Sequence, residues 1–128
     1  STETGASLFV MKEIFPELPG DTDRAAFEGS LFKPWYRTYQ SHLEDSRILG
    51  NIVQRRLSAA IPGWEFTLRE APIGILASAG MPAILIELGN ANNPASLQAL
   101  ANPALQDRLI ASIVASVTEF GTTADGGS

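Results

Sequence analysis

The chain has 128 residues, of which 45% are hydrophobic and 18% charged, with a formal net charge of −5 and no cysteine. That length suits one domain burying roughly two-thirds of its unfolded-chain surface, and the balance is that of a globular rather than a disordered chain. The acidic charge, with Lys12 and Lys33 as the two lysines, argues against nonspecific nucleic-acid binding, and the lack of cysteine excludes disulfides and thiolate-held zinc or iron–sulfur centres.

No apolar run approaches the ~20 residues of a membrane-spanning helix, and no signal peptide is visible. The chain begins at Ser1 and reaches its first methionine at Met11, which reads as a processed or cut product. Residues 1–128 read as a single domain, with 1–5 and 122–128 as flexible ends.

In chain order, Ala6-Ser-Leu-Phe-Val-Met11 is apolar enough to be a strand internal to a sheet. Two prolines and a Gly-Asp pair make Phe15 to Asp23 a loop, and Asp23 to Glu28 reads as one helical turn closed by Gly29. From Trp35 to Ile61 the apolar spacing of Tyr39, Leu43, Ile52 or Val53, Leu57 and Ile61 predicts one long helix. Pro62-Gly63 stops it. At 1.5 Å per residue it would be roughly 36–40 Å long, enough to cross a sheet between two parallel strands.

Trp64 to Leu68 alternates apolar and polar residues as a half-exposed strand does, and Ala71 to Gly80 reads as a compact linker with a short helical turn. Ala83 to Ile86 is an unbroken apolar run ending at Glu87, with Pro82 before it and Gly89 after it. It has the length of a strand buried on both faces. Asn93-Pro94 and Asn102-Pro103 each pair a capping asparagine with a proline at the first helical position. Leu105, Leu109, Ile113, Val117 and Phe120 form the stripe of a last helix, with Gly121 as its expected stop. The fold class is therefore α/β, a mainly parallel sheet flanked by helices.

Glu87 is the first candidate site residue. Ligands gather beyond the carboxyl ends of parallel strands, and a carboxylate there loses hydration, which suits it to general acid/base work. The plainer alternative is a glutamate emerging at the surface. Asn90 and Asn93 are candidates for holding a polar substrate, although asparagines in such a turn also bond their own backbone. His42 is the single histidine, and one histidine does not make a zinc site, which needs three protein ligands. Neither a nucleophile elbow nor a glycine-rich phosphate loop is present. Arg69 reads either as an anion contact or as an ordinary edge charge.

Taken together, Ala71-Pro-Ile-Gly-Ile-Leu76, Met81-Pro-Ala-Ile-Leu-Ile-Glu-Leu-Gly89 and Asn93-Pro94 resemble the C-terminal half of the zinc-dependent N-acetylmuramoyl-L-alanine amidases. In that family Ala-Pro-Leu-x-Val-Leu precedes Pro-Ala-Val-Leu-Val-Glu, then Gly-Phe and Ser-Asn. The opening strand, the long helix and a last helix beginning like Asn102-Pro-Ala-Leu-Gln106 follow the family's order. The resemblance implies an α/β domain, here an incomplete one with a long crossover helix and a C-terminal helix. It also implies hydrolysis of the amide between N-acetylmuramic acid and L-alanine in peptidoglycan, in the bacterial periplasm or cell envelope. The family's zinc is held by two histidines and a glutamate, and its catalytic glutamate, which activates the zinc-bound water, falls on Glu87.

Departures from the family pattern are also visible. Asn90 stands for a phenylalanine, Asn92 for a serine and Ser96 for an acid, and the loop from Phe15 to Trp35 is longer than typical. All three zinc ligands belong to the half that would precede Ser1, so this chain is expected to bind no catalytic zinc and to be inactive alone. A half-sheet also predicts self-association through an unpaired hydrophobic edge at Ala6–Met11 or Ala83–Ile86. The alternative reading is a non-catalytic amidase-like module that binds cell-wall glycopeptide or a protein partner. An unrelated α/β fragment in which Glu87 is structural is the third.

Overall fold

The computed structural model describes residues 4–13 and 35–125. The expected loop from Phe15 and the helical turn at Asp23–Glu28 lie outside them.

Strand β1 (Gly5–Met11) is the centre of the sheet. Its even positions Ala6, Leu8 and Val10 are almost fully buried, and its odd positions Ser7 and Phe9 are half-buried, so one face meets the helices and the other does not. Strand β2 (Glu65–Ala71) runs parallel to β1 in an unbroken register from Gly5↔Glu65 to Met11↔Ala71. Strand β3 (Leu85–Leu88) lies on the other side of β1 and is antiparallel to it. The result is the expected α/β architecture, a three-stranded sheet in the order β2-β1-β3 flanked by helices, with a long crossover helix and a C-terminal helix.

The long helix divides in two. Residues Trp35–His42 form a 3₁₀ helix, and α1 (Leu43–Ala60) is regular. The first part is rich in Thr, Tyr, Ser and His, all weaker helix formers than the Leu, Arg and Gln of α1. It is also held elsewhere, because Tyr39 is buried with Met11 and Leu76 in a small cluster apart from the main core. Leu49, Val53 and Leu57 of α1 join Ala6, Leu8 and Phe66 in that main core. Gly50 lets α1 press onto the sheet: a Cβ there would come 2.9 Å from Leu68 Cδ1 and 3.1 Å from Val10 Cγ1. At the far end the Ile61 amide bonds the Leu57 carbonyl, and the chain turns through Pro62 and Gly63 into β2 as the sequence indicates.

Between β2 and β3 lies α2 (Gly74–Ala77), a single turn whose Leu76 is buried. A link with so little helix does not carry the chain back to the start of the sheet, so β3 enters from the end where β2 finishes and runs the opposite way. The strand buried on both faces and expected at Ala83–Glu87 is thus a short edge strand, with Leu85 and Ile86 half-buried and Glu87 and Leu88 exposed. Just before it, the Ala83 amide donates to Ser46 Oγ of α1 at 3.0 Å, pinning the entry to β3.

Two helices close the described chain, α3 (Pro94–Leu100) and α4 (Pro103–Asp125). Leu109 of α4 belongs to the main core, with Leu105, Ile113 and Phe120 packed against it. Val117 is 55% exposed, and Ser112 and Ser116 take the buried positions of the stripe, with Ser116 Oγ donating to the Ser112 carbonyl. Gly121 does not stop α4, which runs on to Asp125, where the Thr122 and Thr123 hydroxyls donate to the Glu119 carbonyl.

Candidate functional site

Alternation along the strands decides which residues share the sheet face left open by the helices. Glu70 of β2 reaches back to Arg47 of α1, with Oε1 accepting from Nε at 2.7 Å, so its neighbours Arg69 and Ala71 project to the opposite side. The register then sets Thr67, Ser7 and Glu87 in one row across β2, β1 and β3, and Arg69, Phe9 and Leu85 in the next. An open depression of about 280 Å³ lies over the first of these rows and reaches Arg69 of the second, bordered by Glu65, Thr67 and Arg69 on one side and by Glu87, Gly89, Asn90 and Asn93 on the other.

Glu87 is exposed, and its carboxylate makes no hydrogen bond or ion pair with another described residue. Because β3 is antiparallel, its carboxyl end lies beside the amino ends of β1 and β2. The strand-end rule for parallel sheets therefore does not account for its position, and burial in a strand does not dehydrate it. What places it is the open face together with the turn that follows.

That turn is tightly built. Gly89 adopts φ 70° and donates its amide to the Gly5 carbonyl at 3.0 Å. Asn90 Oδ1 accepts from the Asn92 amide at 2.9 Å. Asn93 Oδ1 caps α3, accepting from the Ala95 amide at 3.0 Å and the Ser96 amide at 3.4 Å. Both candidate asparagines thus spend their side-chain oxygens on the backbone, and their side-chain Nδ2 groups make no hydrogen bond to a described residue. Beneath Gly89, the Ser96 hydroxyl is fully buried and has no hydrogen-bond partner among the described residues.

Of the sequence candidates, Glu87, Asn90, Asn93 and Arg69 meet at this depression, whereas His42 sits at the junction of the 3₁₀ helix with α1 and does not border it. Ser7, Glu65 and Thr67 were not picked out by sequence reasoning. Their signal is a polar residue at alternate positions of otherwise apolar strands, which acquires meaning only once the register is known. Among the described residues no three His, Cys, Asp or Glu side chains come together to hold a metal ion. These residues alone do not fit a zinc site.

A family model described as N-acetylmuramoyl-L-alanine amidase matches residues 1–119 of the chain. No curated protein matches it.

Proposed function

Since the chain belongs to the N-acetylmuramoyl-L-alanine amidase family, whose members act on peptidoglycan, we propose that its open sheet face forms part of the amide-cleaving site, with Glu87 as the general base. The observation that carries this reading is the position of Glu87. It is a carboxylate with no partner among the described residues, on the open face beside Ser7, at the residue where the family motif has its catalytic glutamate. In that role Glu87 takes a proton from the water attacking the carbonyl carbon of the muramoyl–alanine bond. As the carbon–nitrogen bond breaks, it returns the proton to the departing amino group of L-alanine. The side-chain Nδ2 groups of Asn90 and Asn93 are free to donate to carbonyl groups of the substrate.

The family is generally zinc-dependent, and the described residues supply no metal site. In this reading the metal's ligands come from an upstream segment, and the 128 residues by themselves bind no catalytic zinc and release no product. The cell envelope, and the bacterial periplasm within it, is the matching location. No helix among the described residues is long and apolar enough to cross a membrane.

The test compares this chain with the same chain joined to a segment carrying the family's two histidines and glutamate. Zinc content and muropeptide release are measured for both. Stoichiometric zinc in the short chain overturns the assignment of ligands. Activity of the joined chain that survives Glu87→Gln overturns the role of Glu87. A second reading, a module that binds glycopeptide without cleaving it, is favoured by the departures at Asn90 and Asn92. It predicts muropeptide binding by the joined chain with no product released.

A further inference from the structure

Arg69 borders the same depression as Glu87 but has no part in the reading above. It is exposed on β2, opposite Phe9 in the register and on the face away from the helices. Arg47, Arg55 and Arg56 are each engaged by glutamates, whereas the Arg69 guanidinium makes no hydrogen bond or ion pair with another described residue. Among the described residues, the other charges on this face are carboxylates, Glu65 four residues back along β2 and Glu87 on β3. Of these three groups, Arg69 is the one that attracts an anion.

Two strand spacings and two residues of register separate Arg69 from Glu87, which at ~4.8 Å per strand and ~3.3 Å per residue is about 12 Å between Cα atoms. An extended peptide covers that span in roughly three to four residues, fewer once the reach of the arginine side chain is included. We propose that Arg69 anchors a free carboxylate of the peptide part of the substrate, one to three residues beyond the amide next to Glu87. The planar guanidinium takes a carboxylate through two parallel hydrogen bonds, and a peptide held at both points has its direction fixed across the strands. This rests on the amidase reading of the same site and adds to it a preference for acidic over amidated peptides.

The test titrates the chain, by NMR chemical shifts at low salt, with two probes, N-acetylmuramoyl-L-Ala-D-Glu with free carboxylates and its carboxamide counterpart. The free acid is expected to bind about tenfold more tightly, a margin that shrinks as salt screens an exposed charge. Arg69→Gln removes the difference without weakening the carboxamide, Arg69→Lys keeps part of it, and Glu87→Gln leaves it in place. Equal affinity for the two probes, or a preference that survives in Arg69→Gln, overturns the anchor and leaves the amidase reading standing. Binding of neither probe overturns the anchor as well, whereas the amidase reading is decided by zinc content and muropeptide release of the joined chain.

Discussion

Gly89 makes the turn that follows Glu87. Its φ of 70° is a left-handed conformation, and a Cβ added there would stand 3.1 Å from Ser96 Cβ. Gly89→Ala is therefore expected to cost about 1–2 kcal/mol, the usual cost of that conformation in an L residue, as measured by urea unfolding. Ser96→Ala is the converse case. It deletes a buried hydroxyl that bonds no described residue, and the expected change lies between neutral and about 1 kcal/mol of stabilisation. A loss of 2 kcal/mol on that substitution would mean that the hydroxyl has a partner, such as a buried water. At this scale the sequence was readable wherever local chemistry rules. The Asn93 cap, the Pro94 start and the Gly89 turn stand where the residue types place them. Gly50 was not readable, because its reason is Leu68 and Val10 pressing from the sheet, and neither is near it in sequence.

Between elements, the joint of α1 with α4 combines the core contacts of Leu57 and Leu109 with a charged clamp at the rim. Arg55 Nη2 and Arg56 Nε donate to the two carboxylate oxygens of Glu119, the second at 2.6 Å. The Arg56 hydrogen bond, assisted by the charge of Arg55, holds the Glu119 carboxyl below the usual glutamate range. A carboxylate whose folded value is depressed adds stability that is complete above its unfolded value, about 4.3. That stability is lost as pH falls through the lower, folded value. The clamp should thus hold at neutral pH and lose its contribution below the unfolded value. Glu119→Gln should flatten the acid limb of a stability–pH curve and reduce its dependence on salt, both measurable by thermal unfolding. An acid limb unchanged in Glu119→Gln would show that the clamp is not coupled to folding. By contrast, Leu57→Ala, at a fully buried position, should cost about 2–5 kcal/mol at any pH. The helical periodicity that predicted α1 and α4 also predicted their apolar faces. It missed the 3₁₀ start at Trp35–His42 and the exposure of Val117, because both depend on which neighbour each segment packs against rather than on its own pattern.

For the whole molecule, the order strand, helix, strand, strand, helix was legible, as was the meeting of Glu87 with Asn90 and Asn93 after the third strand. The direction of β3 was not, since an apolar run reads the same for a buried parallel strand and a half-covered edge. That direction governs how copies of the chain would meet. β1 is paired on both sides, so the expectation of a free edge narrows to the outer strands. The free side of β2 carries Glu65, Arg69 and Glu70, charges of the kind that discourage edge pairing. β3 offers Leu85, Ile86 and Leu88 with Glu87 as its one charge. Gly89 donates to the Gly5 carbonyl, so by antiparallel alternation Leu85 and Glu87 bond β1, while Ile86 and Leu88 direct their backbone groups outward. The chain is expected to self-associate through this edge, with a weight-average mass that rises with concentration in sedimentation. Leu88→Pro removes an outward donor without touching the ladder to β1 and should suppress the rise. Association that persists in Leu88→Pro would move the interface to the exposed Ile110, Val114 and Val117 of α4. A wild-type chain that stays monomeric at high concentration would show that the β3 edge is already covered within the protein itself.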